Sequence, residues 1–299
     1  SSIACGLRYL FPDMDIHTFT YKAKGQNFNE SKWADKVNKF IGAVPHEISI
    51  SPNSLINDLN NLINAQGEPF VSTSVYAGYC VYKNINESDI VVSLDGQGAD
   101  ELLGGYQGYI GQRILSMLES RQYLKLIKFL INWKNLRNTS YLYPIIDFVR
   151  IVLPDKIYNL FSNLYGRNIS PNWINERFLK DNYENIKFKE ERYLRKDSFK
   201  TKRVTEALIN AITGRGLRAL LRYGDRNSMI SSVESRFPFL ESDFANFMFS
   251  IPEENLIDLN GKTKSIFKEA MKGIVPDEIL NRNDKIGFET PQNELIRKN

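Results

Sequence analysis

Residues 91–106 read VVSLDGQGADELLGGY, and this junction limits the fold more than any other part of the chain. Ile90 to Leu94 reads as a short, buried strand. Asp95, Gly96, Gln97, Gly98, Ala99, Asp100 and Glu101 follow it at once. The two glycines permit positive φ and let a ligand come close to the backbone. The next residues open a helix whose first amides can face an anion, with Asp100 and Glu101 in the turn where the dipole favours carboxylates. An ordinary strand-to-helix turn has the same look, because acidic residues start helices and glycines end strands. A carboxylate beside a phosphate-shaped nest becomes useful when a metal bridges the two. The residues therefore suggest a magnesium–nucleotide site without proving one. The pattern GxGxxG is absent, so a dinucleotide fold has no support.

Strand and helix patterns alternate through the first hundred residues. A helix is predicted over 3–11 and a strand over 16–21. Asn29 or Ser31 is the expected N-cap of a helix that carries Trp33, Val37, Phe40 and Ile41 at helical spacing. A strand follows at 46–50, then a helix marked by Leu55, Leu59, Leu62 and Ile63, and another over 73–83. This alternation predicts an α/β fold with a doubly wound parallel sheet, whose ligands bind outside the carboxyl ends of the strands. From Tyr106 onward the pattern is mostly helical. Apolar-basic segments within 111–165, such as YLKLIKFLINW, read as helices packing on their own domain in preference to a membrane surface. The expected organisation is an α/β nucleotide-binding part over 1–106 and a mainly helical part over 107–299 that completes the site.

Composition narrows the function classes. A formal net charge of +4, spread along 299 residues, argues against a nucleic-acid partner. No apolar run approaches the length that crosses a bilayer. Cys5 and Cys80 are the two cysteines, both in helix-like apolar surroundings and without metal-ligand spacing, which fits a reducing cytoplasm. Ser1 and Ser2 lead straight into Ile3, Ala4, Cys5, Leu7 and Leu10, a helix already under way with no methionine before it. The expectation is a piece of a longer protein.

Three stretches together resemble the synthetase domain of glutamine-dependent asparagine synthetases and the related β-lactam synthetases. The first is GQGADELLGGY. The second, LLRYGDRNSMISSVESRFPFLE at 220–241, is similar to the family's DR-x-SM followed by E-x-R-x-PFLD. The third is NGKTKSIFKEAM at 260–271, followed by ILNRNDKIGFETP at 279–291. They occur in the family's order and span nearly the whole chain, with residues 110–205 the least diagnostic. The resemblance implies a PP-loop ATPase-like (adenine nucleotide α-hydrolase-like) fold. It implies ATP and Mg2+ as cofactors, a carboxylate activated as an acyl-adenylate with loss of pyrophosphate, and ammonia from glutamine as the attacking group. Aspartate is the expected acceptor; a sugar uronic acid or a β-amino acid is the alternative, and a non-catalytic scaffold is a third reading.

Residue by residue, the resemblance assigns Asp100 to the metal. Ser1 and Ser2 look like the tail of the family's SGGxDSS nucleotide loop, and a glutamine-hydrolysing domain would precede them. Gly96 matches a backbone position near the adenine or ribose, and Tyr21 sits where the family places an apolar residue against the adenine. Lys285 matches the lysine that neutralises the pyrophosphate, and Lys264 falls in a second lysine position. Asp225 and Arg226 lie near the implied acceptor pocket, where an arginine suits a carboxylate. Glu234 and Arg236 read as an ion pair holding the PFLE turn. Gln97 stands where well-known members carry a glutamate thought to act as the base on ammonia, and glutamine cannot accept a proton. Members often pair their subunits, so a homodimer is implied as well, although no residue bears on it.

Overall fold

The computed structural model describes residues 1–22, 30–70, 72–106, 108–137, 142–153, 175–181, 196–282, 288 and 290–297. It is a mixed α/β structure, mostly helical, with two small parallel sheets. The chain divides into two compact units. One comprises Ser1–Leu103, Ala211–Ile251 and Lys264–Asn299; the other comprises Gly104–Asn210 and Pro252–Thr263.

In the first unit, α1 spans Ser2–Leu10 and β1 His17–Tyr21, close to the predicted bounds. Helix α2, Ser31–Ile41, carries the chain across to β2, Val44–Ile48, which pairs with β1 in parallel from His17↔Val44 to Tyr21↔Ile48. Parallel neighbours need such a crossover. The second strand begins two residues before the predicted 46–50, because Gly42 ends α2 directly after Ile41. Gly42 adopts the left-handed conformation, and its N–H donates to the Asn38 carbonyl. Glu30 stands at the N-cap of α2 and its side chain makes no cap hydrogen bond; of the two expected caps, Ser31 is the first helical residue and Asn29 lies outside the described residues. Helix α3, Pro52–Gln66, has better-defined ends. Ser51 and Ser54 satisfy each other's backbone N–H groups, Pro52 occupies the first turn, and left-handed Gly67 closes the helix.

Helix α4, Ser74–Glu87, is the spine of this unit. Tyr76 and Tyr79 pack with Leu55 and Leu62 of α3 and with Leu295. Ala77 packs against Tyr21, and Tyr82 and Ile85 meet Phe19 and Val233. Leu62, Tyr76 and Ala77 are fully buried. Burying one such large apolar side chain contributes roughly 1.5–3 kcal/mol. A buried polar group ties on the helix Arg215–Ile230: Asn227 donates to the Val75 carbonyl (2.9 Å) and accepts from Gln66 Nε2 (2.8 Å). Both cysteines are free thiols. Burial pushes Cys80 up to about 11, so its thiol stays protonated at neutral pH.

Strand β3 is only Val92–Leu94, and it pairs in parallel with β4, Glu234–Arg236. One expectation is met only in part here, and a second needs correction. Among the described residues the strands form two separate two-stranded sheets, and no continuous doubly wound sheet is seen. Nor is β3 the buried strand expected: Val91, Val92 and Leu94 are exposed. The physical reason is that β3 has one strand neighbour, β4, among the described residues.

The second unit is helical. Helix α6 is Tyr109–Glu119, α7 Tyr123–Arg137 and α8 Leu142–Val152, and both α7 and α8 pack on α6. Gly111 permits the closest approach, since a Cβ there would lie 2.5 Å from Ile151 and 2.7 Å from Asp147. Its N–H donates to Asp147 (2.9 Å). Phe129 and Trp133 of α7 are fully buried, while Leu124, Ile127 and Ile131 on its outer face stay exposed. Arg203 joins the start of its helix, Arg203–Thr213, to α6. Its guanidinium binds both oxygens of Glu119 (2.8–3.0 Å) and one of Glu206 (2.8 Å). No helix among the described residues is long and apolar enough to cross a membrane.

Candidate functional site

The turn after β3 is held from several sides. The Asp95 N–H donates to the Arg236 carbonyl at 2.9 Å, which continues the β3–β4 ladder by one residue. The Asp95 carboxylate accepts the Gln97 N–H at 3.1 Å, a local closure that turns the chain away from the strand. Burial raises the Asp95 carboxyl above its ordinary value, against the backbone hydrogen bonds from Gln97 and Gly96. Gly98 then adopts φ +88°, and an added Cβ would lie 2.2 Å from Leu240 of the PFLE turn. Helix α5 that follows is only Ala99–Leu103, too short to bring much of a dipole to an anion.

Asp100 and Lys264 meet. The Lys264 ammonium lies 2.8 Å from Asp100 Oδ1, and each side chain is a little over a quarter exposed. Lys264 itself has φ +57° and ψ +33°, the left-handed region, and directly precedes the helix Ser265–Ala270. Ser1 precedes α1, with Ser2 as the first helical residue. Below the turn, Tyr82 and Ser235 share a hydrogen bond of 2.9 Å. Burial raises Tyr82, and the charges of Asp95 and Asp225 add to this.

Other predicted residues fall nearby or apart. Tyr21 is buried at the end of β1, edge-on to Phe288 with ring centroids 5.7 Å apart. Phe288 belongs to the same stretch as Lys285, whose own position lies outside the described residues. Past Phe288, Thr290 shares a hydrogen bond of 2.6 Å with Thr73 just before α4. Glu234 and Arg236 form the expected ion pair at 2.8 Å, fully on the surface. Asp225 and Arg226 are exposed on the helix Arg215–Ile230, whereas Asn227 and Ser228 beside them are buried. An open groove of about 600 Å³ at the end of α3, bounded by Ile63, Gly67 and Phe70, is lined by none of the candidate residues.

Sequence reading missed two partners at this site. Leu240 was a letter in a motif, and only its contact with Gly98 makes it part of the turn. The Asp95 carboxyl passed as a turn residue; its signal was a charged side chain directly abutting an apolar strand. A metal ion fits Asp100 in one way. Among the described residues no group of three or more His, Cys, Asp or Glu side chains forms a ready-made cage. Mg2+ characteristically takes one or two carboxylates and completes its shell with phosphates and water. A single carboxylate beside a lysine fits a metal that arrives with a polyphosphate, and not a resident metal centre.

The model of the family described as asparagine synthase matches residues 1–299. The chain belongs to the asparagine synthase family. Asparagine synthetase [glutamine-hydrolyzing] 1 of Bacillus subtilis (strain 168) is 26% identical over 294 residues, covering 92% of this chain and 42% of that protein. Asparagine synthetase [glutamine-hydrolyzing] 3 of the same organism is 25% identical over 257 residues, covering 85% and 35%. Amidase chry2 of Gibberella zeae is 38% identical over 72 residues, covering 22% and 11%. The chain thus spans less than half the length of the relatives it matches.

Within this chain, parts of the three stretches that carried the resemblance converge in one unit. The GQGADE turn, the ESRFPFLE turn and Lys264 touch through the β3–β4 pairing, the Gly98–Leu240 contact and the Asp100–Lys264 ion pair.

Proposed function

We propose that this chain is the synthetase part of an ATP-dependent amide-forming ligase. It would activate a carboxylate as an acyl-adenylate with release of pyrophosphate, and ammonia derived from glutamine would displace AMP to give the amide. The observation that carries this reading is the convergence at one strand end of three stretches distant in sequence, in a chain matched to the asparagine synthase family along its length. The finer fold is a PP-loop-type, doubly wound arrangement. A glutaminase domain outside this chain, a cytoplasmic location and pairing of subunits complete the reading.

Phosphoryl and adenylyl transfer depends on positioning and on neutralising charge. Gly96 offers backbone without a side chain in the way, and Ser1 and Ser2 offer hydroxyls and amides to phosphate oxygens. Tyr21 gives an apolar wall for the adenine. Asp100 would hold Mg2+, which screens the phosphate charges and orients them when bound. Lys264 and Lys285 bring ammonium groups to the phosphates, where the negative charge of the leaving pyrophosphate grows. Asp225 and Arg226 bind the acceptor, with the guanidinium suited to a carboxylate.

Aspartate is the first-choice acceptor, with asparagine as product. Gln97 favours keeping a second reading within the same chemistry, an acceptor such as a sugar uronic acid or a β-amino acid. A carboxamide at that position cannot take a proton from ammonia, so the amide-forming step differs from one with glutamate there. The test is product analysis of the full-length protein with ATP, Mg2+, glutamine or ammonium, and aspartate. Asparagine and AMP in equal amounts are expected. AMP formation only with another carboxylate would move the acceptor, and no AMP with any carboxylate from a folded protein would leave the scaffold reading.

A further inference from the structure

We propose that Lys264 holds the metal-binding place on Asp100 until the nucleotide arrives, so that the divalent cation enters with the polyphosphate and not before it. This rests on the functional reading above and deepens it.

The geometry supplies the argument. The Lys264 ammonium stands 2.8 Å from Asp100 Oδ1, where a cation would approach the carboxylate. Both side chains are withdrawn from bulk water to a similar degree, so the attraction is less screened than in a surface pair. The backbone contributes too. Among the described residues Lys264 is one of five non-glycine residues at positive φ, a conformation that is held only when the surroundings impose it. That left-handed residue closes the segment Gly261–Lys264 and starts the helix Ser265–Ala270, which fixes where the lysine stem begins. Of the lysines at 262, 264 and 268, Lys264 forms the 2.8 Å ion pair with Asp100.

Charge bookkeeping then sets the order of binding. In the nucleotide-free protein, Mg2+ alone must displace an ammonium already neutralising its one carboxylate. No cluster of further acidic ligands among the described residues offsets that loss. A metal–triphosphate brings both replacements at once. The ammonium passes from the carboxylate to a phosphate oxygen, and the carboxylate passes from the ammonium to the metal. Each charge keeps an opposite partner throughout, and no bond is made or broken. By linkage, the nucleotide strengthens metal binding by the same factor as the metal strengthens nucleotide binding.

The test uses the full-length protein and Mn2+ as the probe, followed by electron paramagnetic resonance without nucleotide. Lys264→Met and Lys264→Asn are compared with the native protein. Asparagine tolerates the left-handed conformation, so the second variant keeps the turn even if the first disturbs it. Nucleotide-free Mn2+ affinity should rise about fivefold or more in both variants, since even a weak ion pair has to be displaced in the native protein. The gain should vanish when Asp100→Asn is added. Unchanged Mn2+ affinity in both folded variants would overturn the exchange. A native protein that takes up no Mn2+–ATP by calorimetry would instead bring down the functional reading, and the exchange with it. Native Mn2+–ATP binding with flat variants brings down the exchange alone.

Discussion

At φ +88° Gly98 occupies backbone space that L-residues rarely enter, and an added Cβ would come within 2.2 Å of Leu240 Cδ2. Gly98→Ala should therefore cost roughly 2 kcal/mol, from backbone strain and from pushing Leu240 aside. Urea unfolding of the intact protein measures it, as a lowered midpoint at constant slope. A shift below about 0.5 kcal/mol, the usual range for surface changes, would mean that the turn is not held as described. The positive φ was readable in the sequence, because two glycines at a strand end ask for it. The partner was not, since spacing along a chain says nothing about which distant leucine closes on the turn. Lys264 has the same history. Three lysines crowd residues 262–268, and only the fold decides which one reaches Asp100. In the DR-x-SM stretch the eye goes to Asp225 and Arg226, yet it is Asn227 that is buried and bonded to α4 and Gln66.

Elements with strong local signals formed where the sequence placed them. Helices α1, α3 and α4 have apolar spacing of helical period, and α3 has a capping serine and a terminal glycine besides. β3 diverged from its pattern because burial is a property of neighbours, not of a strand's own side chains. The helix that starts at Arg203 depends on an ion cluster that no periodicity announces. Arg203 is buried, bonded to Glu119 and Glu206, and its N–H donates to Ser116 at 2.8 Å. Arg203→Met leaves two carboxylates facing each other with no cation between them. It should cost about 3 kcal/mol or more, read as a lowered urea midpoint. The pair also has a pH signature. Burial alone would raise Glu119, but the hydrogen bond from Arg203 outweighs it with help from the Thr201 N–H, and the folded value lies below the ordinary 4.5. The unfolded chain thus takes up the proton first as pH falls. The stability from Glu119 is complete above 4.5 and drains away through the lower folded value. Arg203→Met should flatten that acid-side loss. An unchanged acid slope in the variant would assign the effect to another carboxylate.

At the scale of the whole chain, the path is what the sequence conceals. The chain leaves the α/β unit at Gly104, returns at Ala211, leaves again at Pro252 and returns at Lys264. A sequence marks helices and turns but not returns. The pairing of β3 with β4, together with the bonds of Asn227 to Val75 and Gln66, gathers the 220–241 stretch beside the first hundred residues. This path has a consequence for ligand linkage. The described candidate nucleotide contacts, Ser1, Ser2, Tyr21, Gly96, Asp100 and Lys264, all fall in that same unit. A ligand stabilises what it binds, by about 2.7 kcal/mol at a hundred times its dissociation constant. Local opening responds only where the opened form loses the ligand. Hydrogen exchange of the intact protein with and without Mg2+–ATP should therefore slow in β1, in the turn after β3 and around residues 264–271. The amides of α6, α7 and α8 open without touching any candidate contact, so their exchange should stay as it was. Protection that rose chiefly in those three helices would put the nucleotide in the helical unit and take the strand-end site with it.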